Sequence, residues 1–359
     1  MQRPGRLFAA LALALAAAGA LAAEDCRVAF DLGSSGIRAG ASNSEATARI
    51  DLDYLGPLLA GRSLDDTEDR TAAALRDLPR QAGFDAACAS AAGGFSAWRL
   101  ALERDPGRLA DLLARIQRES GVAIVVVPQG REGSYAHTGA RLALGARLRT
   151  SHVLDIGGGS LQIADAAHAV GLPLGQKAWH HALCRLLRDS DALPCALQPL
   201  SDRELTRARA LAQAQLSTID TALSRPVTMT AVSRPVSRGV LPAVNRLAGN
   251  EDARSFRRTE LAQAIERLAG RSVGQTADDI GSKPAYAAFL LSDMLLVEGL
   301  LRVTGSDMLQ VAEADLTNLP GLLADDRLFD WASQHYPCYL DRLRTQGLSA
   351  YVSNPATCH

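Results

Sequence analysis

Short apolar runs alternate with amphipathic stretches along most of this chain, and that alternation predicts an α/β protein. Residues 27–52 read as three strands, the third from Ala48 to Leu52. Thr67 to Gln81 has helical spacing, and Ala86 to Ala91 is a short buried strand ending at Gly93-Gly94. Phe95 to Gln117 predicts a helix with a kink at Pro106. Val122 to Val127 is a continuous apolar run rich in β-branched residues, the pattern of a buried parallel strand. Glu132 to Leu144 predicts a helix, and His152 to Ile163 a second hairpin. Gly171-Leu172-Pro173-Leu174-Gly175 then breaks the pattern and puts a domain boundary near 165–175.

Beyond that break, helices are expected at Ala178 to Leu187 and Asp202 to Leu223. The second is opened by the capping box Ser201-x-x-Glu204. Val227 to Val232 is a buried strand. Helices follow from Gly239, from Thr259 to Leu268 and from Ala285 to Val303. Asp307 to Ala312 is a strand, and Leu316 to Leu323 a short helix. The tail from Phe329 carries Trp331, Tyr336, Tyr339 and two cysteines. The expected division is a leader over 1–23, a first domain over 24–170, a second over 171–325 and a tail over 326–359.

Composition changes this picture at three points. With 359 residues, 47% of them hydrophobic, the chain can bury two cores. Arg3 and Arg6 precede an almost pure Leu/Ala run from Leu7 to Leu21, and Ala20-Leu21-Ala22 is a small-residue cleavage pattern. This predicts a Sec-type signal peptide cut after Ala22 or Ala23, and hence a periplasmic or secreted protein without a membrane span. In such a compartment the six cysteines predict disulfides. Cys184/Cys195 and Cys338/Cys358 are the economical local pairs, which leaves Cys26 with Cys88, one of several connectivities that six cysteines allow. A net charge of −1 argues against general binding to a nucleic acid duplex. The arginines from Arg203 to Arg209 read as a solvated helix face. The adjacent His180-His181 cannot share a helix face, so they read as surface or core residues.

The candidate chemistry lies in a repeated turn. Asp31-Leu32-Gly33-Ser34-Ser35-Gly36 follows Val28-Ala29-Phe30, and Asp155-Ile156-Gly157-Gly158-Gly159-Ser160 follows His152-Val153-Leu154. Each is a strand, an acid and a glycine/serine loop. Such a loop exposes backbone N–H groups that cradle phosphate oxygens. Gly33, Ser34, Ser35, Gly36, Gly157, Gly158, Gly159 and Ser160 are therefore phosphate-binding candidates. An ionised aspartate only accepts hydrogen bonds, so Asp31 and Asp155 should face a cation. The plain alternative is two ordinary hairpins, and the repetition after a strand each time favours the phosphate reading. Between the loops, Glu132 follows the 122–127 strand and opens a helix. It reads equally as a carboxylate that deprotonates water or as a first-turn acid that suits the helix dipole.

The two loops, with Gly130-x-Glu132-Gly133 between them, resemble the Ppx/GppA exopolyphosphatase family. They also resemble its relatives, the apyrase-type nucleoside triphosphate diphosphohydrolases, to which Glu-Gly-Ser-Tyr and Ser-Leu-Gln-Ile are similar. The resemblance spans roughly residues 27–325 and its combined motifs are fairly specific. It implies the actin/sugar kinase/Hsp70 superfold, two actin-like (ribonuclease H-like) domains around a central phosphate-binding cleft. It implies Glu132 as general base, Asp31 and Asp155 around Mg2+ or another divalent cation, and phosphate on the loops. The implied activity is phosphoanhydride hydrolysis, releasing terminal phosphate from polyphosphate or nucleotide polyphosphates. An apyrase-like hydrolase and a degenerate member that binds a ligand or partner without turnover are the alternatives. Two departures stand out. Gly93-Gly94 takes the place of an arginine, which leaves Arg38, Arg99 and Arg131 as candidate cations. Ser233-Arg234-Pro235 replaces an expected glycine pair.

Overall fold

The computed structural model describes residues 26–219, 222–223, 225–313 and 317–358. The expected signal peptide lies outside them. The first half runs β1 (Arg27–Leu32), β2 (Gly36–Ala41), β3 (Ser44–Asp51), α1 (Leu55–Leu59), α2 (Glu68–Ala82), β4 (Ala89–Gly94), α3 (Ser96–Arg104), α4 (Pro106–Ser120), β5 (Ala123–Val126) and α5 (Gln129–Leu144). Its five strands are ordered β3-β2-β1-β4-β5, antiparallel across β1–β3 and parallel across β1, β4 and β5. β5 is buried along its whole length, as its unbroken apolar run demands.

The second half runs β6 (His152–Ile156), β7 (Leu161–Ala164), β8 (Ala169–Leu172), α6 (Gln176–Arg188), α7 (Asp202–Leu216) and β9 (Met229–Ala231). A π-helical turn at Pro235–Val240 leads into α8 (Leu241–Ala248), β10 (Ser255–Arg257), α9 (Arg258–Ala269), α10 (Val273–Ile280), α11 (Pro284–Thr304) and β11 (Met308–Val311). The sheet order is β10-β11-β9-β6-β7-β8. Read from β8, the order β8-β7-β6-β9-β11 repeats that of the first sheet, with the same strand directions. One unit is therefore present twice, and each copy puts its glycine loop at the turn of its first hairpin. The chain then closes with α12 (Leu319–Leu323), α13 (Asp326–Ala332), α14 (Tyr336–Gln346) and α15 (Ser349–Val352).

Several expectations need correction. The second sheet begins at β6, so the division between halves precedes His152 and does not fall near 165–175. Gly171 and Leu172 end β8, and Pro173 to Gly175 link it to α6. Gly175 is required there because a Cβ would overlap the Gly157 carbonyl. Leu319 and Leu322 join the first core, so α12, expected with the second half, belongs with the first, and the tail, for which no side was expected, joins it through Trp331, Tyr339 and Tyr351. Pro106 does not kink one helix but starts another, because extended Asp105 caps α4 by accepting the Arg108 N–H at 2.9 Å. α1, β8, β10, α10 and the tail helices α13, α14 and α15 went unforeseen, and β3 starts at Ser44. Arg209 is not on a solvated face: it pairs with Glu298 at 2.9 Å, a carboxylate buried on α11. The capping box of Ser201 and Glu204 is present.

All three disulfides join the expected partners, with sequence separations of 62 for Cys26–Cys88, 11 for Cys184–Cys195 and 20 for Cys338–Cys358. Among the described residues no helix is long and apolar enough to cross a membrane. The second core also holds a buried acid. Asp293 on α11 accepts from Gln176 Nε2 at 2.5 Å through one oxygen, and its other oxygen has no protein partner among the described residues. Burial pushes its carboxyl up to about 8, against the pull of the Gln176 bond.

Two predictions follow from these features. Chain-entropy arithmetic gives about 4 kcal/mol for the bridge with the longest span and about 3 kcal/mol for each of the others. Removing Cys26–Cys88 by paired serine substitution should therefore lower Tm the most, and an equal or smaller loss than for Cys184–Cys195 would contradict this. The second concerns pH. Folded, Asp293 keeps a proton that the unfolded chain releases near pH ~4, so the stability it contributes is full below that pH and lost as pH rises through about 8. Asp293→Asn should flatten the fall in Tm between about pH 4 and about pH 8. Parallel Tm curves for variant and wild type would rule this out.

Candidate active site

The two glycine loops meet face to face. In the first, the Gly33 N–H closes the turn on the Gly36 carbonyl at 3.0 Å, and the Ser34 carbonyl accepts from Tyr54 and Leu55 at the entrance to α1. In the second, Gly157 closes on Ser160 at 2.9 Å, and the Gly158 carbonyl accepts from Lys177 and Ala178 in the first turn of α6. Each loop is thus pinned by the helix that follows its third strand. The approach is so close that a Cβ on Gly158 would overlap Ser34 Oγ. A cleft opens between them. Its inner part, about 170 Å³, is lined by Asp31, Ser34, Ser96, Glu132, Asp155 and Ser160 among others. Its outer part, about 360 Å³, adds Arg38, Arg49, Lys177 and Arg234.

Three carboxylates converge on the inner cleft from β1, α5 and β6. Burial raises Asp31 to about 6. The Asn318 N–H, donating at 3.2 Å, works against that rise, and the charge of Glu132 adds to it. Burial raises Asp155 to about 7, followed by repulsion from Glu132 and from Asp31. A cation between Asp31 and Asp155 would relieve both effects, and an all-oxygen donor set suits a hard divalent ion.

Glu132 is buried in the first turn of α5. Arg99 on α3 reaches it at 2.6 Å, and both side chains are about nine-tenths or more buried. The same guanidinium donates to the Val127 carbonyl at 3.0 Å and to Ser160 Oγ at 3.1 Å. Gln162 Nε2 also donates to Ser160 Oγ, at 2.9 Å. A hydroxyl oxygen has two lone pairs, and these two donors occupy both, so the Ser160 hydrogen is left to donate into the cleft.

Of the residues expected at the site, Asp31, Gly33, Ser34, Glu132, Asp155, Gly157, Gly158 and Ser160 line the inner cleft. Ser35, Gly36 and Arg38 line the outer part. Gly159 turns the other way, and a Cβ there would press on Ser96 and Leu55. Arg131 points away from the cleft and pairs with Asp325 at 2.9 Å. Of the other two candidate cations, Arg99 reaches Glu132 itself and Arg38 lies in the outer cleft, where its charge pulls Asp31 down. The glycine at the expected arginine position is explained by packing, since a Cβ on Gly93 would lie 2.6 Å from the Leu322 side chain. Ser233, Arg234 and Pro235 still line the outer cleft. His180 and His181 are both buried in α6. His180 Nδ1 lies 2.9 Å from Ser292 Oγ, and burial lowers this histidine to about 4. Sequence reasoning missed Ser96, Gln162, Lys177, Thr317 and Asn318. Only Lys177, one of two lysines, and Gln162, inside a motif already noted, left a trace in the sequence.

Comparison with known proteins bears on the family and the fold. The model of the Ppx/GppA phosphatase family matches residues 96–313. A search of curated proteins gave no match. Among solved structures, the type II variant of the Aquifex aeolicus Ppx/GppA phosphatase is similar with a TM-score of 0.58 at 17% identity, over 83% of this chain and 98% of that one. An exopolyphosphatase from Cytophaga hutchinsonii is similar with a TM-score of 0.60 at 15% identity, over 83% and 96%. At such identities the likeness is one of fold, two actin-like α/β domains about a cleft. Because the family match spans more than half of the sequence, the chain belongs to the Ppx/GppA phosphatase family.

Proposed function

We propose that this chain is an exported, metal-dependent hydrolase that releases terminal phosphate from polyphosphate or nucleotide polyphosphates. The observation that carries this reading is the convergence of Glu132, Asp31 and Asp155 on a cleft between two glycine loops. Phosphate oxygens would rest on the loops and on the Ser160 hydroxyl, whose oxygen is already taken by two donors and whose hydrogen is therefore free to donate. Asp31 and Asp155 would hold the divalent cation, which when bound would neutralise charge on the transferring phosphoryl group. Glu132 would take a proton from water as the water oxygen bonds to the terminal phosphorus. The bridging P–O bond then breaks, and its electron pair stays on the bridging oxygen of the shortened polyphosphate or nucleotide, which is the leaving group. Arg99 fixes the carboxylate for that step. The basic side chains of the outer cleft suit a substrate that continues as a row of phosphates. Three disulfides suit an oxidising compartment outside the cytoplasm.

The deciding experiment measures phosphate release from polyphosphate, nucleoside triphosphates and nucleoside diphosphates, each with magnesium and with calcium. Release from the nucleotides alone would move the reading to an apyrase-like hydrolase. No release from any of them would leave a ligand-binding member without turnover.

Glu132→Gln should lower kcat by roughly 100- to 10,000-fold with little change in KM, because the amide cannot accept the proton. It should also lower Tm, since the substitution leaves the buried Arg99 charge unpaired. A variant that loses stability but keeps kcat would remove Glu132 from the chemistry. Asp155→Asn should weaken binding of magnesium while the chain stays folded, since burial and like charge already disfavour the ionised form of this aspartate. Unchanged magnesium affinity by titration calorimetry would displace the cation from this residue.

A further inference from the structure

The closing segment of the chain grips the strand and helix that present Glu132 from both sides. β5 is the edge of the first sheet, and an edge strand has backbone groups without a strand partner. Tyrosines of α14 supply what the missing strand would. The Tyr339 hydroxyl accepts the Val126 N–H at 2.7 Å. Tyr336 Oη accepts the Ile124 N–H at 3.3 Å and donates to the Ile124 carbonyl at 3.0 Å. Beyond β5, α5 carries Arg131 and Glu132 in its first turn and Tyr135 one turn later. Arg131 Nε donates to Asp325 Oδ2 at 2.9 Å, and the hydroxyls of Tyr135 and Tyr351 donate to the same oxygen. The other oxygen of Asp325 accepts the N–H groups of Arg327 and Leu328 and so caps α13. Asp325 is 2% exposed. A buried carboxylate that collects this many donors is costly to disturb, because each donor would be left without a partner.

We propose that Asp325 is a positioning residue for Glu132, acting through Arg131 and Tyr135 on either side of it. The assignment rests on the reading of Glu132 as the base. The two residues that flank the base in α5 are tied to one carboxylate, and that carboxylate is tied to the tail through Tyr351 and the α13 cap. The tail is in turn closed on itself by Cys338–Cys358. Losing the tie leaves the loops, Asp31 and Asp155 in place and frees the first turn of α5 to shift. A displacement of about 1 Å from a remote change can cost about 100-fold in rate.

The test uses the oxidised full-length chain and three variants, Asp325→Asn, Tyr351→Phe and Arg344→Ala. Arg344 lies on the same tail but bonds Asp111 of α4 at 2.6 Å, so its loss loosens the tail away from α5. In phosphate release, Asp325→Asn should lower kcat by roughly 10- to 100-fold with KM within about twofold of wild type. Tyr351→Phe should lower kcat less, and Arg344→Ala should leave it unchanged. Amide hydrogen exchange over residues 129–135 gives a readout that needs no substrate. It should quicken in Asp325→Asn and match wild type in Arg344→Ala. If wild type releases no phosphate, the hydrolase reading fails while the exchange measurement still decides the role of Asp325. Equal exchange in Asp325→Asn and wild type, or a normal kcat beside a lowered Tm, would overturn the proposal.

Discussion

Asp31, Glu132 and Asp155 bring three carboxyl groups into one partly desolvated cleft, and the architecture around them holds them there. Burial is the main reason both aspartates are displaced upward, and the charge of Glu132 adds to it in each case. One guanidinium enters the group from behind, and it is already committed to Glu132. The aspartates are left facing a space that a cation and a phosphate would fill. A site organised this way is poor in energy when empty and gains from its ligands, as expected of a binding cleft and not of a core.

The duplicated sheet explains how two hairpins separated by a whole domain come to oppose each other. In each copy the first strand delivers an aspartate at its end, the glycine loop follows, and the helix after the third strand pins that loop through its carbonyls. α5 is the piece without a counterpart role. It leaves the first sheet at β5 and packs along β6, β7 and β8 of the second, so its first turn falls at the seam between the halves. That position lets a single residue, Glu132, face loops belonging to both.

What could be read from the chain was local. The aspartate–glycine loops, the 122–127 strand, the capping box at Ser201 and the disulfide pairs depend on neighbours in sequence or on a short list of partners. What could not be read depends on side choice. Nothing near His152 says that β6 pairs with β9 and not with β5, and nothing in Phe329 to Cys358 says that the tail returns to the first core. The site divides the same way. The loops and Glu132 were legible because they are contiguous motifs. Arg99 could only be offered as one of three cations, because its reach depends on where α3 lies relative to α5. Asn318, whose N–H meets Asp31 across 287 positions of sequence, gave no local sign at all.

The position of Arg99 carries the argument one step further. Its guanidinium touches both the candidate base and the hydroxyl of the second loop, so on the proposed reading it faces two anions once phosphate lies on that loop. A rigid fork with several donors can serve both without leaving either, whereas a lysine at this position would present a point charge to one at a time. Arrival of phosphate at Ser160 and orientation of Glu132 therefore draw on the same side chain. An arginine in place of Gly93, where the resemblance expected one at the end of β4, would have to occupy the space now filled by Leu322. By offering its cation from one helical turn later, this chain keeps the charge at the site and uses the vacated position to seat α12, the helix that leads into Asp325 and the tail.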